Sequence, residues 1–215
     1  MLLLGMPVAL SVGFETTAFS GSSVIAGWRG ATTLAAFQLA NNVITIFYVL
    51  SLGIGTAATV RVGNAVGRGD GSGAAAAGWT AVRLVGGLML VGGIAVALWR
   101  GGIAGVYTMD ADVKAEATAA LALISFFIFF DGVQTVLMGA LRGAGDVMLP
   151  TLAYAVIFGG CAIPLSYYLG YSRDGGAAGL VLGIGAGVML AAVILALRFT
   201  AVARRARQDP IGTSA

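Results

Sequence analysis

The sequence predicts an all-helical integral membrane protein with six transmembrane helices. Three observations carry that expectation. Of 215 residues, 59% are apolar and 10% charged, against about 25% charged in a soluble domain. The mean hydropathy is +0.96. Apolar runs recur at about the 20 residues that cross about 30 Å of hydrocarbon. A compact soluble domain of this size lacks the interior to hide so much apolar side chain. Disorder needs low hydrophobicity, and the 34 glycines have no three-residue collagen period. The runs are too long and continuous for barrel strands, which alternate over about ten residues.

Taken in order, the predicted spans are residues 3–26, 31–60, 81–99, 117–141, 149–171 and 177–197. Together they form one transmembrane unit over residues 1–200. The first carries one acid, Glu15, and has no basic n-region, so it reads as a span rather than a cleaved signal peptide. The second holds no charge. The fourth carries one acid, Asp131. The fifth contains Pro164, which donates no N–H and predicts a kink. Residues 201–215 form a basic tail, in which the arginines up to Arg207 would sit against anionic lipid heads.

An even number of spans puts both termini on one side. That side holds Arg61, Arg68, Arg83, Arg142, Arg198, Arg204, Arg205 and Arg207. The other holds Arg29, Arg100, Lys114 and Arg173, offset by Asp110, Asp112, Glu116 and Asp174. The excess of arginine predicts cytoplasmic termini in a plasma (inner) membrane. A net charge of +3, spread this way, leaves no footprint for nucleic acid. With no histidine, Ser-His and Cys-His chemistry and histidine-ligated zinc are excluded. The single cysteine, Cys161, rules out an intrachain disulfide and reads as a small buried hydrophobe.

Ionised carboxylates at mid-bilayer are costly, and Glu15 and Asp131 both fall near mid-depth. Each is either a structural hydrogen-bonding acid or part of an ion or proton site. Helical spacing gives them company. Ser11, Glu15, Ala18 and Ser22 share a face of the first span. Gln38, Asn41, Thr45 and Tyr48 make a polar stripe on the second, and Phe127, Asp131, Gln134 and Met138 share a face of the fourth. Such stripes glue helices together or line a hydrated cavity. On the fifth span Tyr154, Phe158, Cys161, Leu165 and Tyr168 share a face. Those aromatics are either core or a cation–π lining for lipophilic cations. Oxygen ligands suit Na⁺, and Gln38, Asn41 and Gln134 offer neutral ones.

Two GxGD strings, Gly67 to Asp70 and Gly143 to Asp146, fall at span ends and not where an intramembrane protease needs its aspartates. The stretch Gly67 to Gly73 lacks the GK[ST] of a phosphate loop. Gly53 to Ala58 reads as close helix packing, and GxxxG matches such as Gly183 to Gly187 are expected by chance at this glycine content.

Several strings acquire meaning together: Leu34-Ala35-Ala36-Phe37-Gln38 with Asn41, Gly53-Ile54-Gly55-Thr56-Ala57, Arg61-Val62-Gly63-Asn64 with Gly67-Arg68-Gly69-Asp70, and Asp131 followed by Gly139-Ala140-Leu141-Arg142-Gly143-Ala144-Gly145-Asp146. The chain resembles the multidrug and toxin extrusion (MATE) family, specifically its carboxy-terminal six-helix lobe. The resemblance implies a cation-coupled antiporter, not an enzyme, that exports drugs and toxic organic cations from a cavity between two six-helix lobes. It assigns the coupling ion, Na⁺ or H⁺, to Glu15 and Asp131, with no other cofactor. Gln38, Asn41, Thr45, Phe127, Gln134 and Tyr154 become supporting or cavity-lining residues. Phe127 stands where that branch often has tyrosine, and Ser51 where a proline is usual. The chain is roughly half the family's length, so the implied partner, besides membrane lipid, is an amino-terminal six-helix half or a second copy. The alternatives are a non-transporting fragment or assembly subunit, and a lipid-type flippase of the same superfamily, which would need a more basic cavity.

Overall fold

In the computed structural model, residues 2–208 are described. They form six helices in chain order: α1 (Leu2–Arg29), α2 (Ala31–Gly67), α3 (Gly71–Tyr107), α4 (Ala111–Gly143), α5 (Met148–Ser172) and α6 (Gly176–Gln208). Helices α2 to α6 are long and apolar enough to cross a membrane. Helix α1 has the length but carries Glu15, Thr16, Thr17, Ser20, Ser22 and Ser23 along its middle. The helices overrun the predicted spans. At 37 residues each, α2 and α3 reach about 55 Å, well beyond a 30 Å hydrocarbon core. Helix α6 continues past residue 201 through Arg204 and Arg205, so the predicted tail begins as helix. Residues 209–215 lie outside the described residues.

Helix α4 is the hub and packs against α2, α3 and α6. Lipid tails give no hydrophobic drive between helices, so small residues that let backbones approach hold them together. Along the parallel pair α2–α4, a Cβ on Gly139 would strike the Gly55 carbonyl oxygen, and one on Gly143 would strike that of Thr59. The Thr59 hydroxyl fills the seam, 2.8 Å from the Gly139 carbonyl oxygen and 2.9 Å from that of Gly55.

Helices α5 and α6 close on each other in the opposite sense. Gly183 faces Ser166, Gly179 faces Gly170, and a Cβ on Gly187 would lie 2.9 Å from the Ala162 side chain. Gly179, Gly183 and Gly187 are therefore one packing face, not chance matches. Their partners on α5 recur every four residues, a spacing that wider-than-α turns keep in line. The ladder of α5 opens to π-helical turns over Ala155–Ala162 and Tyr167–Ser172, next to Pro164, which has no N–H to contribute. That widening corrects the face predicted for the fifth span. Tyr154 and Phe158 are buried, but Cys161, Leu165 and Tyr168 are exposed. Cys161 is thus on the outer face and not in the core.

The connections are short and specific. Gly69 and Gly145 adopt φ of 72° and 79°, left-handed values that glycine alone takes without strain. The aspartates that follow them act at once. The Asp70 carboxylate accepts from the Gly73 N–H at 2.7 Å and caps α3, and Asp146 pairs with Arg198 of α6 at 2.5 Å. Both GxGD strings are turn devices. At the other end Asp110 caps α4, Arg29 pairs with Asp174 at 2.7 Å, and Glu116 accepts from the Ala177 N–H at 2.7 Å.

Replacing Gly139 with Ala should force α2 from α4 and destabilise the fold by about 1–3 kcal/mol, the usual cost of overpacking. Gly53→Ala, which meets nothing within 4 Å, should be neutral or stabilising. Denaturation midpoints in one detergent compare them. A second expectation concerns Asp70. The Gly73 N–H and the Ser72 hydroxyl hold its carboxyl below the ordinary carboxylate range. A depressed folded value means that the cap's contribution is complete above the ordinary range and disappears as pH falls through the lowered one. Carboxyl carbon NMR should show the low titration, with faster exchange at the Gly73 amide as Asp70 protonates.

Candidate functional site

Glu15 lies midway along α1 and is half-buried. Ser11, one turn earlier on the same face, is 1% exposed. On α4, Asp131 is 3% exposed and Gln134 fully buried, because α4 is wrapped on three sides. Gln134 Nε2 donates to Glu15 Oε1 at 3.2 Å, while Gln134 Oε1 is buried without a donor. Among the described residues Asp131 accepts no hydrogen bond. The Gln134 amide, one turn further along α4, ties that stretch of the hub helix to Glu15 of α1.

A cavity of about 80 Å³ opens beside Glu15, with Tyr48, Thr56, Thr135, Arg142 and Tyr154 in its wall. Tyr154 packs on Phe158 with ring centroids 5.1 Å apart. Arg142 is the residue whose direction the sequence reading could not show. Counted by position it belongs with the arginines of one membrane face. In the fold its guanidinium turns inward, Nη2 donates to the Ser11 hydroxyl at 3.2 Å, and Nε is buried without a partner. The long arginine stem spans the distance between a helix end and the interior. Only the i, i+11 spacing from Asp131, which puts the two on one side of α4, signals this in the sequence.

The other predicted residues fall elsewhere. Gln38 is exposed and donates to Ser23 at 3.3 Å. Thr45 is exposed and donates to the Asn41 carbonyl in its own helix at 2.8 Å. Asn41 and Phe127 line a small apolar pocket with Phe37 and Ile44, and Phe127 lies under Gly185, where a Cβ would overlap its ring. Gln38, Asn41 and Thr45 therefore stand apart from the carboxylates, while Tyr48 of the same stripe reaches them. Among the described residues no three side chains of His, Cys, Asp or Glu cluster.

The arrangement can be counted as charge. Glu15 and Arg142 line one cavity, and Asp131 is buried on α4 one turn before Gln134; ionised together, the two carboxylates outnumber the guanidinium by one negative charge. Such a charge is expensive in a low dielectric unless a cation or a proton joins it.

A bundle of long apolar helices with buried polar side chains is the build of a multi-pass membrane protein. The chain belongs to the MatE family, whose model matches residues 7–168. It is 39% identical over 201 residues to the multidrug resistance protein NorM of Burkholderia vietnamiensis, an alignment covering 91% of this chain and 44% of that protein. It is 38% identical over 213 residues to a probable multidrug resistance protein NorM of Bradyrhizobium diazoefficiens, covering 95% and 45%. Among solved structures, the eukaryotic MATE transporter AtDTX14 superposes with a TM-score of 0.87 at 23% identity over 96% of this chain and 48% of that one. An inward-facing MATE family transporter of the MOP superfamily superposes at 0.82 and 21% identity, over 100% and 49%. These likenesses show the fold. The chain spans about half the length of the curated relatives it matches.

Proposed function

We propose that this chain is the carboxy-terminal six-helix lobe of a cation-coupled exporter of drugs and toxic organic cations, with α1 as its sixth membrane crossing. In this reading Glu15 and Asp131 hold the coupling cation, Na⁺ or H⁺. The observation that carries it is the charge count: two acids against one guanidinium, short of neutrality by one monovalent cation. The donor set suits Na⁺, since the buried Gln134 Oε1 has no hydrogen to accept and offers a neutral oxygen on the side chain that also bonds Glu15. A proton would satisfy the same count.

Loading the site removes its net charge, and unloading restores it. If the two occupancy states favour different lobe arrangements, the coupling can be no larger than the cation's differential affinity for them. A drug cavity needs a second wall. Helix α1 turns Val12, Gly13, Thr16, Thr17 and Ser20 outward, and α2 exposes Gln38 and Thr45. These mixed small and polar faces suit a second lobe better than lipid. The curated relatives, named for multidrug resistance and about twice as long, support that completion.

Asp131→Asn and Glu15→Gln keep side-chain shape and remove the titrating charge. With an amino-terminal half co-expressed, cation-driven export of a fluorescent lipophilic cation should fall to background in both variants at matched protein levels. Full export in both would make the acids structural. Orientation is tested separately. With Cys161 replaced by Ala, a cysteine at Asp174 should react with an impermeant label from outside the cell and one at Arg205 should not. The opposite pattern would invert the assignment.

A further inference from the structure

We propose that the α2–α3 hairpin binds an anionic phospholipid, its headgroup phosphate between Arg61 and Arg68 and one acyl chain laid along the groove between the two helices. The groove encloses about 750 Å³, roughly nine times the cavity beside Glu15. It is built by spacing. On α2 the lining residues Ile54, Ala57, Arg61 and Asn64 fall at i, i+3, i+7 and i+10, with Arg68 just beyond the helix end. On α3 Gly73, Ala77, Thr80 and Leu84 fall at i, i+4, i+7 and i+11. Each helix thus presents one face to the groove. Small side chains keep the space between those faces open.

The groove is polar at one end and apolar at the other. Arg61, Asn64 and Arg68 gather beside the turn, and Ile54 and Leu84 close the far end. From Asn64, midway between the arginines, to Ile54 is ten residues, about 15 Å of helix, room for most of an extended acyl chain. Both arginines are exposed. Among the described residues neither joins an ion pair, the two pairs there being Arg29–Asp174 and Arg198–Asp146. The nearby Asp70 is occupied by its cap on Gly73 and its bond to Ser72. Arg61 is thus uncommitted, Arg68 faces only the charge of Asp70 without pairing to it, and the end they occupy is the polar turn of an otherwise apolar hairpin. A basic pocket between membrane helices at the surface selects an anionic headgroup, and guanidinium is the side chain suited to phosphate. The only requirement is that the hairpin turn lies at the membrane surface, so lipid binding here stands or falls apart from the coupling-ion reading.

The test uses the whole chain, purified in detergent and stripped of lipid. Phosphatidylglycerol or phosphatidylcholine is added at equal mole fraction, and bound lipid is counted by native mass spectrometry. Phosphatidylglycerol should be retained about tenfold or more over phosphatidylcholine, the order that two surface guanidiniums supply. Arg61→Gln with Arg68→Gln should reduce retention to the phosphatidylcholine level. Ala57→Leu with Ala77→Leu, which fills the groove and keeps both arginines, should lower retention as well. Arg83→Gln, exposed on α3 outside the lining, should change nothing. Millimolar inorganic phosphate should not displace the lipid. Equal retention of the two lipids, an unchanged Arg61/Arg68 variant, or complete displacement by phosphate would each overturn the proposal. The first would fit a groove that the other half of a full-length transporter covers, and the last a simple anion site.

Discussion

Because hydrocarbon tails are as apolar as leucine, helices inside a membrane are held by close fit and by hydrogen bonds, and in this lobe the fit between α2 and α4 decides the rest. Gly55, Thr59, Gly139 and Gly143 bring the two backbones together. That contact fixes the rotation of α4. With Gly139 and Gly143 turned to α2 and Gly132 packed on Met89, Val85 and Ser51, the face bearing Asp131 and Gln134 is left to the interior. A larger residue at 139 would displace the helix that carries the acid, so the glycine strings and the carboxylate site are one design.

The two acids do not sit in equivalent surroundings. Asp131 belongs to the hub helix and has α2, α3 and α6 around it. Glu15 belongs to α1, which packs mainly on α2 and α5 and leaves one side of the carboxyl open to the small cavity. In the proposed site Glu15 is the acid open to the small cavity and Asp131 the buried one. Arg142, already tied to Ser11, keeps the empty site from carrying two uncompensated negative charges. Breaking a buried ionic group apart costs more than forming it gains. The single guanidinium thus lets the empty lobe exist without making the cation superfluous.

Much of this was legible in the sequence because membrane helices must be long, apolar and internally hydrogen-bonded. The run lengths located the helices, and the depth of Glu15 and Asp131 singled them out. Two things were not legible. Spacing arguments assume 3.6 residues per turn, and α5 departs from that over Ala155–Ala162, so its buried stripe runs through Phe158, Ala162 and Ser166 rather than Cys161 and Leu165. Charge counting by position also could not show that the Arg142 side chain turns inward, since reach and direction are set by tertiary contact. The polar stripe of α2 failed more mildly. Its period was right, but a helix bordered by α4 on one side and open on another sends Gln38 and Thr45 outward, and only Tyr48 arrives at the cavity.

The same distribution of contacts indicates which part of the lobe would respond to the cation. Helices α2 and α4 are locked by backbone-to-backbone approach, and so are α5 and α6. Helix α1 is not. A Cβ added to Gly13 or Gly27 would meet nothing within 4 Å, and one on Gly21 would meet only the end of Ile163 at 3.9 Å. Ala18, Ile25 and Ala26 of α1 are buried in the apolar core, and around the acids three polar bonds add to that packing: Gln134 to Glu15, Arg142 to Ser11, and the Thr151 hydroxyl to the Pro7 carbonyl at 2.9 Å. Two of those three bonds end within a turn of the proposed cation site. A change of charge at Glu15 alters the bonds that fix α1 while leaving the glycine-locked pairs intact. In the proposed transporter, helix α1, whose outer face would meet the second lobe, is the element whose contacts would change most with occupancy of the site.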